Sequence, residues 1–395
     1  MTLLGIDDYS MPKEFLNTQQ LIEREGYDVE THDVTTEDGY ILPLTRMVPK
    51  DVLPGPRPPV LLVHGVMATS DQWVLRGKDE DLAFLLTDHG FDVWLADARG
   101  NANGRRHKNM SPGDPRFWDF TFTESALYDL PAFVDLILNV TKAPRLGYVG
   151  HSMGTTMFFI LASMRPEYNS KIFGSVHLAP VGPRYPMDKI PTFFMRLIFT
   201  RFDFLMDLAY SSEFMEIGAR TPRFVSASYN WCNAPPPLSD MWLDIVGYII
   251  GEHRENLDRK NRAIQLAHFP AGSSAKTLHH LAQVFSSGFR MFDYGPEKNL
   301  EKYNSTEPPE FPLNKITSSI FLVRGANDPW TTDQGVTHLK NNIPGWKKTQ
   351  VVDDPKFSHV DFVIGMNTNE TLYPDVIQFL KNELRNDSFL ENSIS

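Results

Sequence analysis

The stretch Arg145-Leu146-Gly147-Tyr148-Val149-Gly150-His151-Ser152-Met153-Gly154, running on into Thr155 to Met164, decides how this chain is read. Its first five residues form a short run of buried-strand type. Its last ten are apolar helix formers mixed with Thr and Phe. Between them stands G-x-S-x-G. A strand, a sharp turn and a helix around that pentapeptide make a nucleophile elbow. The turn leaves room only for glycine or a very small residue on either side. It lifts the serine hydroxyl above the sheet and aims the next backbone N–H at a reacting carbonyl. The pentapeptide alone recurs by chance, so the flanking elements carry the weight. The plainer alternative is an ordinary strand-to-helix turn with a capping serine.

A nucleophilic serine needs a base, and the base needs an acid that orients it. On such an elbow they follow in the order Ser, Asp or Glu, His. Ile320-Phe321-Leu322-Val323-Arg324-Gly325 is an apolar strand ending in a turn, and Ala326-Asn327-Asp328-Pro329 follows it. Asp328 is thereby predicted on a carboxyl-end loop, where ligand sites of open α/β sheets collect. Gln350-Val351-Val352 reads as another short strand, and His359 lies on the loop after it. Position and order select His359 from 12 histidines. Asp333, Asp353 and Asp354 rival Asp328. Asp333 is suited to capping a helix that starts near Gln334. Asp353 and Asp354 lie so near His359 that they suit shaping its loop.

The run Pro59-Val60-Leu61-Leu62-Val63 is a third strand, followed at once by His64-Gly65-Val66. Glycine lets this loop approach the substrate closely. The backbone N–H groups of Val66 and Met153 are then the expected oxyanion donors, two fixed dipoles aimed at developing charge. His64, placed before the glycine, is expected to hold the loop by hydrogen bonds rather than to act as a second base.

Strand and helix patterns alternate along the first part of the chain. They run through Val60–Val63, Leu82–Leu86, Val93–Ala96, Ser125–Leu138, Leu146–Val149, Thr155–Met164 and Ile172–Leu178. Ahead of them come an opening helix and two alternating strands, from Asp28 onward and from Tyr40 to Met47. This rhythm predicts an α/β fold: a mostly parallel central sheet with helices on both faces. It breaks after Pro180 and resumes at Ile320, and Leu372–Leu384 reads as a closing helix. The predicted organisation is a core over 1–180, a helical cap or lid inserted over 181–315, and the rest of the core over 316–395. The insertion is too long for a loop. It is rich in Phe, Met and Pro, and Phe202, Phe204 and Met206 are candidates to line an acyl-chain pocket. The alternative for any one of them is packing of the cap on itself.

Further stretches line up in order over nearly the whole chain. They include Val34-Thr35-Thr36-Glu37-Asp38-Gly39-Tyr40, His64-Gly65 with Ser70 and Trp73, and Arg99-Gly100-Asn101. Phe117-Trp118-Asp119-Phe120, Tyr128-Asp129-Leu130-Pro131-Ala132, Pro270-Ala271-Gly272-Ser273-Ser274, Phe292-Asp293-Tyr294-Gly295 and His359-Val360-Asp361-Phe362 continue the series. In these the chain resembles the animal acid lipases, the gastric and lysosomal enzymes and their insect relatives, within the α/β-hydrolase fold. The resemblance implies Ser152 as nucleophile, Asp328 as acid, His359 as base, and Val66 and Met153 at the oxyanion positions. Three departures from the pattern stand out. Met153 stands where vertebrate members often have Gln, the vertebrate cap cysteines are missing, and Pro329 replaces a bulky apolar residue.

Composition narrows the remaining choices. A formal charge of −11 argues against nucleic acid and against attraction to anionic membranes, leaving neutral lipid surfaces open. Arg105-Arg106-His107-Lys108 is read as a solvated or structural face. No G-x-G-x-x-G, Walker, H-E-x-x-H or C-x-x-C pattern occurs, so no nucleotide, metal or redox cofactor is implied. The single Cys232 precludes an intramolecular disulfide, which taken alone favours a reducing compartment. Against this stand N-x-S/T sequons at Asn109, Asn139, Asn304, Asn369 and Asn386. Residues 1–8 carry no signal peptide pattern. The resemblance implies a secreted or lysosomal glycoprotein, with a cytoplasmic member as the alternative. The expected activity is serine-dependent hydrolysis of neutral lipid esters, triacylglycerols or sterol esters. Two alternatives are a carboxylesterase for small soluble esters and a non-catalytic lipid-binding protein on a lipase scaffold.

Overall fold

Every residue of Pro59–Val63 is buried, because both faces of this strand are covered. Val60 and Leu62 point into one core, with Leu82, Phe84, Val376 and Leu380. Leu61 and Val63 point into the other, with Phe133, Ile137 and Phe159. This is why such strands read as continuous apolar runs instead of alternating ones. The computed structural model describes residues 11–50, 57–182, 215–235 and 262–386.

In chain order the strands are β1 (Tyr27–Thr35), β2 (Tyr40–Pro49), β3 (Pro59–Val63), β4 (Asp92–Ala96), β5 (Arg106–His107), β6 (Leu146–His151) and β7 (Ile172–Leu178). After them come β8 (Glu216–Ile217), β9 (Ser273–Ser274), β10 (Ile320–Arg324) and β11 (Trp346–Val351). The main sheet runs β1-β2-β4-β3-β6-β7-β10-β11, with β5 paired to β2. The β1–β2 and β2–β4 pairs are antiparallel, and every pair from β4 through β11 is parallel. Helices Thr18–Arg24, Leu82–Asp88 and Tyr373–Asn386 supply one face, and Leu130–Thr141, Met153–Met164 and Asp333–Asn342 the other. This is the mostly parallel, two-faced sheet expected from the alternation, in the α/β-hydrolase arrangement that the resemblance implies. Parallel strands bring the carboxyl ends of β3, β6, β10 and β11 to one edge, where open α/β sheets bind ligands.

The helix read from Ser125 begins earlier, at Phe122, where a Thr121–Glu124 capping box satisfies its first N–H groups. A π-helical turn over Ser125–Asp129 precedes its α-helical remainder. Asp129 is fully buried against Arg99, whose Nε donates to it at 2.8 Å and whose Nη1 reaches Asp38 at 2.5 Å. One guanidinium thus ties this helix, the β1–β2 turn and the loop after β4 together. Removing one partner of such a pair costs roughly 3–5 kcal/mol, because the other charge stays buried. The basic cluster is structural too: Arg105 pairs with Glu216, Arg106 with Asp33, and His107 with the Asp38 carbonyl.

Between β7 and β10 the described residues add no strand to the main sheet. They form helices Pro222–Cys232, Arg262–His268, Ala275–Ser287 and Pro296–Tyr303 and the separate antiparallel pair β8–β9. Phe202, Phe204 and Met206 lie outside the described residues, as do 183–214 and 236–261 of the expected cap.

Candidate active site

The elbow forms because two side chains are missing. A Cβ on Gly150 would lie 2.8–2.9 Å from the backbone of Gly154 and Thr155. A Cβ on Gly154 would lie 2.5 Å from the Val63 carbonyl oxygen. The turn leaves Ser152 at φ 52 and ψ −116, a conformation L residues rarely adopt. Its N–H donates to Leu178 O at 3.0 Å, and Tyr148 Oη donates to Gly154 O at 2.6 Å. Two neighbouring strands and the helix therefore hold the strained residue in place.

Ser152 Oγ lies 2.8 Å from His359 Nε2. His359 Nδ1 lies 2.9 and 3.0 Å from the two oxygens of Asp328. Each of the three residues is at most 8% exposed. Asp328 Oδ1 also accepts from the N–H groups of Trp330 at 2.8 Å and Thr331 at 3.1 Å. Burial pushes the Asp328 carboxyl up, but the charge and hydrogen bond of His359, together with the Trp330 N–H, outweigh it and leave the group below its ordinary range. A carboxylate only accepts, so His359 donates from Nδ1 and leaves Nε2 with a lone pair facing the serine hydroxyl.

The loops after β10 and β11 are laced together, which sets the Asp328–His359 distance. Asn327 N–H donates to Phe357 O at 2.9 Å, and a Cβ on Gly325 would lie 2.4 Å from that same oxygen. The rival acids sit elsewhere. Asp333 is exposed and pairs with Arg324 at 2.6 Å. It does not cap the helix: Thr332 does, accepting from Gly335 N at 3.1 Å, because the helix starts at Asp333 itself. Asp354 accepts from Lys356 N within the His359 loop.

The loop after β3 is organised by His64. Its Nε2 accepts from Ala98 N and Asn101 Nδ2, each at 3.1 Å, which places the proton on Nδ1. Nδ1 donates to Gly65 O at 2.7 Å. Burial pushes His64 down, keeping it neutral. In a trans peptide the N–H points opposite to the C=O. Anchoring Gly65 O therefore directs the Val66 N–H. Among the described residues no acceptor is paired with the N–H of Val66 or of Met153. Asn101 also donates to Asp97 at 2.8 Å, so His64 rests on a buried polar frame.

Two contributors escaped the sequence reading. In the sequence Asn101 stands out only within Arg99-Gly100-Asn101, with nothing to tie it to His64. In the sequence His151 is only the variable residue of the pentapeptide, yet its Nε2 donates to His359 O.

Residues 18–77 match the partial alpha/beta-hydrolase lipase region and residues 58–214 match the alpha/beta hydrolase fold. Lipase 1 of Drosophila melanogaster is 34% identical over 366 residues, covering 92% of this chain and 80% of that protein. The chain belongs to the animal acid lipase family. Human lipase member N is 32% identical to this family member over 390 residues, covering 96% of this chain and 94% of the other. A carboxylesterase from the thaumarchaeon Nitrososphaera gargenis shares the fold at 12% identity, with TM-score 0.52 over 90% of this chain and all of that one. The protein is a lipase-family hydrolase. Among its described residues no helix is long and apolar enough to cross a membrane.

Proposed function

We propose that this lipase-family member hydrolyses neutral lipid esters, triacylglycerols or sterol esters, through an acyl-enzyme on Ser152. The observation that carries the reading is the continuous line from Ser152 Oγ through both nitrogens of His359 to Asp328, each link within 3.0 Å. Ser152 Oγ attacks the ester carbonyl while His359 Nε2 takes its proton. The N–H groups of Val66 and Met153 hold the oxyanion. The C–O bond to the alcohol breaks as His359 returns the proton to the leaving oxygen. Water, deprotonated by His359, then attacks the acyl carbon and releases the fatty acid. Asp328 keeps His359 in the useful tautomer and stabilises its cation.

Support for a lipid ester comes from the names of the relatives, lipase 1 and lipase member N. The Phe- and Met-rich sequence between 181 and 315 agrees with an acyl-chain site and a lid that excludes water. The implied setting is secreted or lysosomal, by the same resemblance.

The test is Ser152→Ala with a serine-directed phosphonate and a panel of ester chain lengths, with and without an emulsion. The variant is expected to fold and to lose on the order of 10⁴-fold or more in turnover. Labelling is expected at Ser152. Turnover near wild type, or labelling at another serine, overturns the mechanism. Activity confined to short soluble esters replaces the lipid substrate with that of a carboxylesterase.

A further inference from the structure

Met67 follows the proposed oxyanion donor Val66 and stands at φ 56, in the left-handed region, though it is neither glycine nor asparagine. Such a residue keeps this conformation only where its surroundings over-determine it. Two chain segments about 150 and 200 residues further on do so.

The first contact is to the backbone. Ala271 N–H donates to Met67 O at 2.6 Å, and Ala271 O in turn accepts from Ala102 N–H at 2.7 Å. Pro270-Ala271-Gly272 therefore bridges the loop after β3 and the loop after β4. Gly272, at φ 94, lies so close that a Cβ there would sit 3.0 Å from Gly100 O. The second contact is to the side chain. Gly218 has φ 67, and a Cβ on it would lie 2.2 Å from Met67 Cε and 3.1 Å from Pro270 Cβ. The thioether tip of Met67 thus occupies the space left by the missing side chain of Gly218. The two holding segments are themselves joined, since Glu216 and Ile217 pair with Ser274 and Ser273.

The loop is consequently anchored from two sides. From the core, His64 fixes Gly65 O at 2.7 Å. From the stretch between β7 and β10, Ala271 and Gly218 fix the backbone and side chain of Met67. Val66 N–H lies between these anchors. We infer that Met67 is a positioning residue, a clasp by which the segments 215–218 and 270–274 hold the oxyanion loop in its donating geometry. The inference rests on the reading of Val66 as an oxyanion donor. Its further content is that anything displacing β8 or β9 also disturbs the oxyanion hole, although neither strand touches Ser152 or His359 in a hydrogen bond.

The experiment compares wild type, Met67→Ala, Gly218→Ala and the double variant on a soluble ester. Active sites are counted by phosphonate titration, and affinity is measured for a trifluoromethyl ketone, whose serine adduct places an oxyanion where the transition state does. Met67→Ala is expected to lower kcat per titrated site about tenfold with KM little changed, and to weaken the ketone by the same factor. Gly218→Ala, which drives Met67 out of its seat, is expected to do the same. In the Met67→Ala background Gly218→Ala is expected to add clearly less than it costs alone, because Met67 Cε is gone while the contact with Pro270 and the positive φ of Gly218 remain. If Met67→Ala does not fold, Gly218→Ala alone still reads ketone affinity against KM. A residue that merely stabilises the fold would lower the number of titrated sites and leave kcat per site and ketone affinity unchanged; that result overturns the clasp, as do additive losses in the double variant. A wild-type protein without serine-dependent ester hydrolysis removes the oxyanion reading and the clasp with it. An active wild type with unaffected variants removes the clasp alone.

Discussion

His151 donates from Nε2 to the main-chain carbonyl oxygen of His359 at 2.9 Å, so the residue before Ser152 holds the backbone of the residue that faces Ser152. Burial, with the His359 charge adding to it, pushes His151 down to about 3, so it stays neutral and keeps that proton on Nε2. Its Nδ1 has no hydrogen-bond partner among the described residues.

Replacing His151 by Phe keeps the ring volume and removes the donor. The His359 carbonyl then loses its partner in a buried setting, at a cost of roughly 1–3 kcal/mol. Turnover on a soluble ester is expected to fall about tenfold or more through drift of the imidazole. His151→Gln, which can present an amide N–H near the Nε2 position, is expected to recover most of it. Equal damage from both substitutions would count against a role for this hydrogen bond.

The two candidate acids separate by environment. Asp328→Asn leaves the Trp330 and Thr331 N–H groups an acceptor but stabilises the wrong tautomer of His359, so kcat is expected to fall on the order of 10⁴-fold. Asp333→Asn removes only an exposed ion pair with Arg324, where about 0–1 kcal/mol of stability is at stake. Steady-state kinetics of the two variants decide the matter, and a reversed order of damage would transfer the role to Asp333.

His177 lies wholly buried in β7, stacked on Phe159 with ring centroids 4.5 Å apart. Burial alone pushes it down to about 3. The unfolded chain, with an ordinary histidine near 6.5, binds a proton between these values that the folded chain does not. Stability therefore rises with pH across that window and is lost as pH falls through it, at up to ~1.4 kcal/mol per pH unit for this group. His177→Phe is expected to flatten the slope by about one proton in urea titrations between about pH 4 and pH 6. Ser175 Oγ keeps its bond to Ser319 O at 3.1 Å in that variant. An unchanged slope would mean His177 does not titrate with unfolding.

Gly154→Ala would set a Cβ 2.5 Å from Val63 O and 3.0 Å from His64 O, both of them main-chain atoms unable to swing aside. A loss of about 1–3 kcal/mol in stability is expected from such overpacking. Because the end of β3 must shift, turnover per folded molecule should also fall. Calorimetry together with active-site titration would separate the two effects, and a variant with wild-type values in both would mean the elbow is looser than drawn.

Strands covered on both faces were legible from their apolar runs: Pro59–Val63 matches β3 residue for residue, and Ile172–Leu178 matches β7. The edge strand β11 was recognised only at its end, from Gln350, because Trp346-Lys347-Lys348 is half exposed and carries charge where a core strand would not. Strands of two residues, such as β8 and β9, have no period to detect. Ser152, Asp328 and His359 could be singled out because their chemistry and chain order are restrictive. The support around them could not. That Arg99 is buried against Asp129, that His64 leans on Asn101, and that Met67 is held by Ala271 are facts of three-dimensional proximity between residue types with many other uses. A positive φ at a methionine leaves no trace in composition at all.

The backbone angles of Ser152 have a consequence for how this enzyme can change. At φ 52 and ψ −116, the residue that suits the main chain best is glycine, which pays no steric penalty there. The hydroxyl is kept at that point against a local preference for having no side chain. Random substitution screened for heat resistance alone would thus be drawn toward Ser152→Gly, a variant with a more relaxed turn and without the proposed nucleophile. Thermal tolerance and turnover pull in opposite directions at this single residue. Any lineage that gave up catalysis on Ser152 while retaining the scaffold would be expected to shed the serine early and to become hardier for it.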